Sequence, residues 1–78
     1  MANSQSKQLV VCVSNEDYAV SLERRKIYVA LRDTAAEKVG LLRIVDESGE
    51  DYLFSADRFV AIDVPAAVRA SLLKAARA

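Results

Sequence analysis

Four carboxylates crowd into the six residues Asp46-Glu47-Ser48-Gly49-Glu50-Asp51 of this 78-residue chain. Carboxylates this close can in principle pass a proton or gather a cation. A calcium loop, however, needs ligands at alternating positions and a distal bidentate glutamate, and the run has neither. The chain contains no histidine, which removes the usual general base, the serine–histidine–carboxylate arrangement and every imidazole metal ligand. Its single cysteine, Cys12, is too few for a structural zinc site or an internal disulfide. Set in the apolar run Leu9 to Val13, Cys12 reads as a small buried hydrophobe. The two glycines, Gly40 and Gly49, do not form a phosphate-cradling loop. A domain this short also offers little water-excluded space around a carboxylate pair. The expectation is a protein with no catalytic residues, no cofactor and no metal.

What remains is binding. If Ser48-Gly49 forms a two-residue hairpin loop, Glu47 faces Glu50 and Asp46 faces Asp51, and like charges opposed on a ladder cost roughly 0.2–1 kcal/mol per pair. Either a cation or a basic partner at Glu47 and Glu50 relieves the repulsion, or the hairpin is solvated and its charges point apart, with Arg43 or Arg58 nearby. Arg24-Arg25-Lys26 is the one basic cluster and, with Arg43, the place where nucleic acid would bind. Few of the chain's five aromatics are free to interleave with it. Residues 1–63 carry eight basic and eleven acidic groups, so that part is net −3, and Arg69, Lys74 and Arg77 restore neutrality. A neutral chain exerts no strong field on nucleic acid or an anionic membrane.

These residues need elements to hold them. Leu9-Val10-Val11-Cys12-Val13 is a β-branched run and a strand. Ser14 to Arg25 is a polar, turn-rich loop in which Tyr18, Val20 and Leu22 alternate. Ile27, Val29 and Leu31 share one face of the next strand. Ala35 to Lys38 has room for one helical turn before Gly40. Leu41 to Val45 is the third strand, and the hairpin register places Val45 opposite Tyr52 and Ile44 opposite Leu53. Tyr52 to Phe54 returns, Ser55 to Arg58 makes a three-ten turn, and Phe59 to Ile62 is the fifth strand. Pro65 opens a helix over 65–77. Its stripe of Val64, Val68, Leu72, Ala75 and Ala76 faces the sheet, and Leu73 lies outside it as a face for a second chain. Residues 1–8 read as a flexible terminus without a signal peptide, and 9–78 as one domain. The longest apolar run falls far short of the ~20 residues needed to span a bilayer. A lone cysteine fits a reducing compartment, the cytoplasm.

A long first loop, a tight hairpin between strands three and four, and a single turn before strand five form an order that resembles the Src-homology-three-like barrel. The likeness is sharpest at Glu50-Asp51-Tyr52-Leu53-Phe54 through Phe59-Val60-Ala61-Ile62. It implies a mainly β fold, a five-stranded small barrel with a C-terminal α-helix. It also implies a groove for proline-rich ligands, with Tyr18 and Phe59 at the matching positions, although the chain has no tryptophan. The stretches Ser21-Leu22-Glu23-Arg24-Arg25-Lys26-Ile27-Tyr28 and Arg43 to Leu53 are similar to those of small bacterial proteins of unassigned function. The reading is a non-catalytic, protein-binding module of a bacterial cytoplasmic protein, its partner another protein or a second copy of itself. A nucleic-acid-associated barrel acting through Arg24, Arg25 and Arg43 is the alternative. The surfaces that carry these readings are Tyr18, Arg24, Arg25, Arg43, Glu47, Glu50, Phe59 and Leu73.

Overall fold

A computed structural model describes residues 7–76. Strands β1 (Lys7–Cys12), β2 (Ile27–Leu31), β3 (Leu41–Val45), β4 (Asp51–Ser55) and β5 (Phe59–Ala61) form one antiparallel sheet in the order β4-β3-β2-β1-β5. A five-residue helix, α1 (Thr34–Lys38), joins β2 to β3, a three-ten turn (Ala56–Arg58) joins β4 to β5, and α2 (Ala66–Ala76) follows. The fold is mainly β. The sheet is curled, and because β4 and β5 remain its two edges it is an open half-barrel. β1 takes in Lys7 and Gln8, two residues that the sequence assigns to a loose terminus; residues 1–6 lie outside the described residues.

Both faces of this sheet carry apolar side chains, which explains the unbroken apolar runs of β1 and β2. On the concave face Val10 stands opposite Tyr28, Ala30 opposite Ile44, and Cys12 opposite Phe59. With Leu22 from the long loop and Phe54 from β4 they make the core. Its aromatic rings meet edge-on, Tyr28 and Phe54 at 6.4 and 6.2 Å from Phe59, a geometry that the ring quadrupole favours. On the convex face Leu9 stands opposite Val29 and Val29 opposite Val45. Leu9 and Val29 are buried there, on the side where α2 lies.

The docked side of the helix is rotated from its apolar stripe: Leu72 of that stripe is on it, Val68 is not, and Arg69 and Leu73 join it. Arg69, Leu72 and Leu73 are half-buried, whereas Val68 is 45% exposed. The Arg69 guanidinium explains the rotation: it donates to the carbonyl of Lys7 in β1, which draws this side of the helix to the sheet. Leu73 therefore belongs to the docked side and is not the free outer face expected of it.

The β3–β4 register also departs from expectation. Ile44 pairs with Tyr52 and Val45 with Asp51, one residue away from the pairing that a Ser48-Gly49 loop dictates. The Gly49 N–H donates to the Asp46 carbonyl and the Asp46 N–H to the Glu50 carbonyl, both at 3.0 Å. Gly49 has φ +85°. This is a three-residue loop with glycine at the left-handed bulge position. The Asp46 carboxylate stabilises it by accepting from the Ser48 N–H at 2.9 Å and from the Ser48 hydroxyl. Because side chains alternate, the one-residue shift turns Phe54 into the core and Leu53 out of it.

Candidate functional site

The hairpin tip packs against the long loop. Ser21 accepts from the Glu47 N–H at 3.1 Å through its carbonyl. Tyr28, buried at the end of the core, receives the Glu23 N–H at 2.6 Å and donates its hydroxyl hydrogen to Glu47 Oε2. Lys26 Nζ reaches both Glu47 oxygens, at 2.8 and 2.7 Å. One carboxylate thus ties together β2, the long loop and the hairpin. Burial, then the bond to Glu47, holds the Tyr28 phenol well above its ordinary value. The bond from Lys26, then that from Tyr28, holds the Glu47 carboxyl below its own.

The remaining carboxylates separate rather than cluster. Asp46 is buried within its own turn. Glu50 accepts from the Tyr52 hydroxyl at 2.9 Å, a contact that raises the Tyr52 pKa. Asp51 pairs with Arg43 at 3.0 Å, and Arg43 also reaches Asp33 at 2.9 Å. Asp33 is pulled down first by the Ala36 N–H that it caps at the start of α1, and next by Arg43. Four hairpin carboxylates thus have two cations bound to them, Lys26 and Arg43, and Arg43 is shared with Asp33.

Between the hairpin and α2 lies an open groove of about 480 Å³, within the range of small-ligand pockets. Leu9, Ile27, Val29 and Val45 form its floor, Leu72 one wall, and Lys26 with Asp46 to Gly49 the opposite rim. Its base is apolar because the convex sheet face carries aliphatic residues that α2 leaves half covered. Its rim is polar because the hairpin turn ends there. Sequence reasoning missed this groove: β2 shows the alternation that places Ile27 and Val29 together, but nothing local reveals that a distant helix stops short of them.

The residues singled out from sequence do not form one surface. Phe59 is buried, 7% exposed, and inside the core; it cannot line a ligand groove with Tyr18. Tyr18 is half exposed, packs edge-on against Phe54 at 5.2 Å, and carries the Arg58 guanidinium over its ring at 4.7 Å. Arg24 and Arg25 are exposed. Arg43 is half-buried between two carboxylates, an arrangement that raises its own pKa, chiefly through Asp33. Glu47 lies at the groove rim, Glu50 beside it at the hairpin end, and Leu73 under the helix. Among the described residues no three acidic or cysteine side chains are placed to hold a metal ion, and no helix is long and apolar enough to cross a membrane.

No family model matches the chain, and neither a curated protein nor a solved structure matches it.

Proposed function

We propose that this chain is a non-catalytic protein-interaction module whose groove between α2 and the β3–β4 hairpin receives an apolar side chain of a partner protein. The observation that carries this reading is the apolar floor of Leu9, Ile27, Val29 and Val45, walled by Leu72, beneath an acidic hairpin. Charge complementarity gives the partner segment a basic residue beside its apolar anchor. The strand order and the run of long loop, hairpin and three-ten turn support placing the fold among Src-homology-three-like barrels; the groove, however, lies on the convex face, away from Tyr18. A bacterial cytoplasmic setting belongs to the same proposal. The nucleic-acid alternative keeps exposed Arg24 and Arg25, but Arg43 is already held by Asp33 and Asp51.

Selection of peptides from a random display library, with each isolate mapped by amide chemical shifts, tests the groove. Isolates should carry an apolar residue next to Lys or Arg and shift the amides of 27–29, 45–49 and 72. Val45→Lys should weaken them by about 2 kcal/mol or more, as loss of an interface anchor does. Isolates that bind Val45→Lys equally well, or that shift only the Arg24–Arg25 segment, would overturn the reading.

A further inference from the structure

The free edge of β4 carries an observation independent of the groove. At one end of the β3–β4 ladder the Asp46 N–H donates to the Glu50 carbonyl; at the other the Ala56 N–H donates to the Gly40 carbonyl at 2.8 Å. Antiparallel ladders alternate, so the pairs that exchange hydrogen bonds between these ends are Ile44–Tyr52 and Leu42–Phe54. The backbone N–H and C=O groups of Asp51, Leu53 and Ser55 therefore point away from β3, along an edge that no other strand among the described residues covers. Native edges are usually blunted by proline, lysine or a bulge. β4 has none of these, its one charged side chain, Asp51, is paired with Arg43 of β3, and Tyr52 and Leu53 are 48% and 42% exposed on it. β5, three residues long, offers a much shorter edge.

We propose that two copies of this chain associate by antiparallel pairing of their β4 edges about a twofold axis at Leu53. The sequence of the edge is complementary to itself in that register. Leu53 meets its own copy, Tyr52 meets Phe54 of the second copy, and Asp51 meets Ser55 of the second copy. No like charges oppose one another in the strand, because the one carboxylate, Asp51, already paired with Arg43, meets Ser55 and not its own copy. An isologous contact of this kind closes at two chains and leaves no growing end. Five residues per chain make a small interface, so the dimer dissociates on dilution.

Sedimentation equilibrium over a wide concentration range, with amide hydrogen exchange followed on the same samples, tests this. The wild-type protein should self-associate, and the amides of Leu53 and Ser55 should slow as concentration rises. Those of Tyr52 and Phe54, already bonded to β3, should not change. Leu53→Lys should lower the association constant by about tenfold or more with an unchanged circular dichroism spectrum, while the groove variant Val45→Lys should associate normally. If Leu53→Lys does not fold, the exchange pattern of the wild type decides alone. A monomer at every concentration, or concentration-dependent protection in α2 instead of β4, would overturn the proposal. Neither result touches the peptide-binding groove, which is read from different amides.

Discussion

Tyr28 is a core residue whose one polar atom does the work of a clamp. Its hydroxyl both accepts from the Glu23 backbone and donates to Glu47, so a phenylalanine in its place fills the same volume and strands two partners. Tyr28→Phe should cost about 1–2 kcal/mol in urea unfolding, the penalty for polar groups left unpaired in partial burial. The Lys26–Glu47 pair stands half in solvent and on its own is worth about 0.2–1 kcal/mol. The larger consequence is a dependence on acid. Glu47 is depressed below its ordinary value of 4.5, so the folded state binds its proton less readily than the unfolded chain. The stability it contributes is present above that pH and fades as pH falls through the lowered value. Unfolding measured against pH should show wild type and Glu47→Gln converging on the acid side, with the gap fully open by neutral pH. A constant gap would mean that Glu47 acts by shape alone.

Among the elements, the β3–β4 hairpin shows what local sequence reveals and what it hides. Gly49 marks the turn unmistakably, and the turn is there. The loop length depends on Asp46, whose buried carboxylate accepts from Ser48 and so stabilises a three-residue loop over a two-residue one. An aspartate in a polar run does not disclose whether it faces water or its own backbone, and the register slips by one for that reason. The slip decides that Phe54 packs and Leu53 does not. Gly49→Ala isolates the conformational part of this turn, because a Cβ there would meet no atom within 4 Å while φ stays at +85°. The cost should be about 1–2 kcal/mol by thermal or urea unfolding, the strain of a left-handed L-residue; a neutral result would show that the turn relaxes. The strands themselves were legible because β-branched runs and alternation are local signals. The helix was legible from Pro65 and its change of period. Its docked side was not, because an arginine counts as polar in a periodicity although Arg69 here reaches a strand carbonyl. Phe59 was misplaced in the candidate site for the same reason: an aromatic after a three-ten turn looks alike whether it lines a groove or fills a core.

For the whole molecule the two faces of the sheet are unequal. The concave face holds eight buried residues in one cluster, including all three rings that meet at Phe59, and the long loop and hairpin close over it through Tyr28. The convex face holds Leu9 and Val29 under a helix that is itself only half-buried. Leu72→Ala should cost about 1–2 kcal/mol, less than the 2–5 typical of a fully buried leucine. It should also enlarge the groove without disturbing the Tyr28 clamp, a difference that amide shifts would resolve. The overall fold was readable because composition and strand order constrain a small β-domain strongly. The functional surface was not, since it is made where a helix from the end of the sequence meets strands from its middle, and no single segment carries it.

The partial seating of α2 implies a ladder of openings within the native state. Lifting the helix uncovers Leu9 and Val29, widens the exposure of Val45 and breaks the Arg69 bond, whereas parting β1 from β2 breaks the core, so the two events differ widely in free energy. The helix amides should exchange through a sub-global excursion that leaves β1 to β3 intact, and mild denaturant should accelerate them first. Each excursion bares the full convex face of Leu9, Val29 and Val45, so the groove's capacity is set by an equilibrium rather than by one fixed volume. A peptide that fills the groove beside the seated helix should slow helix exchange, and one that takes the helix's own place should hasten it.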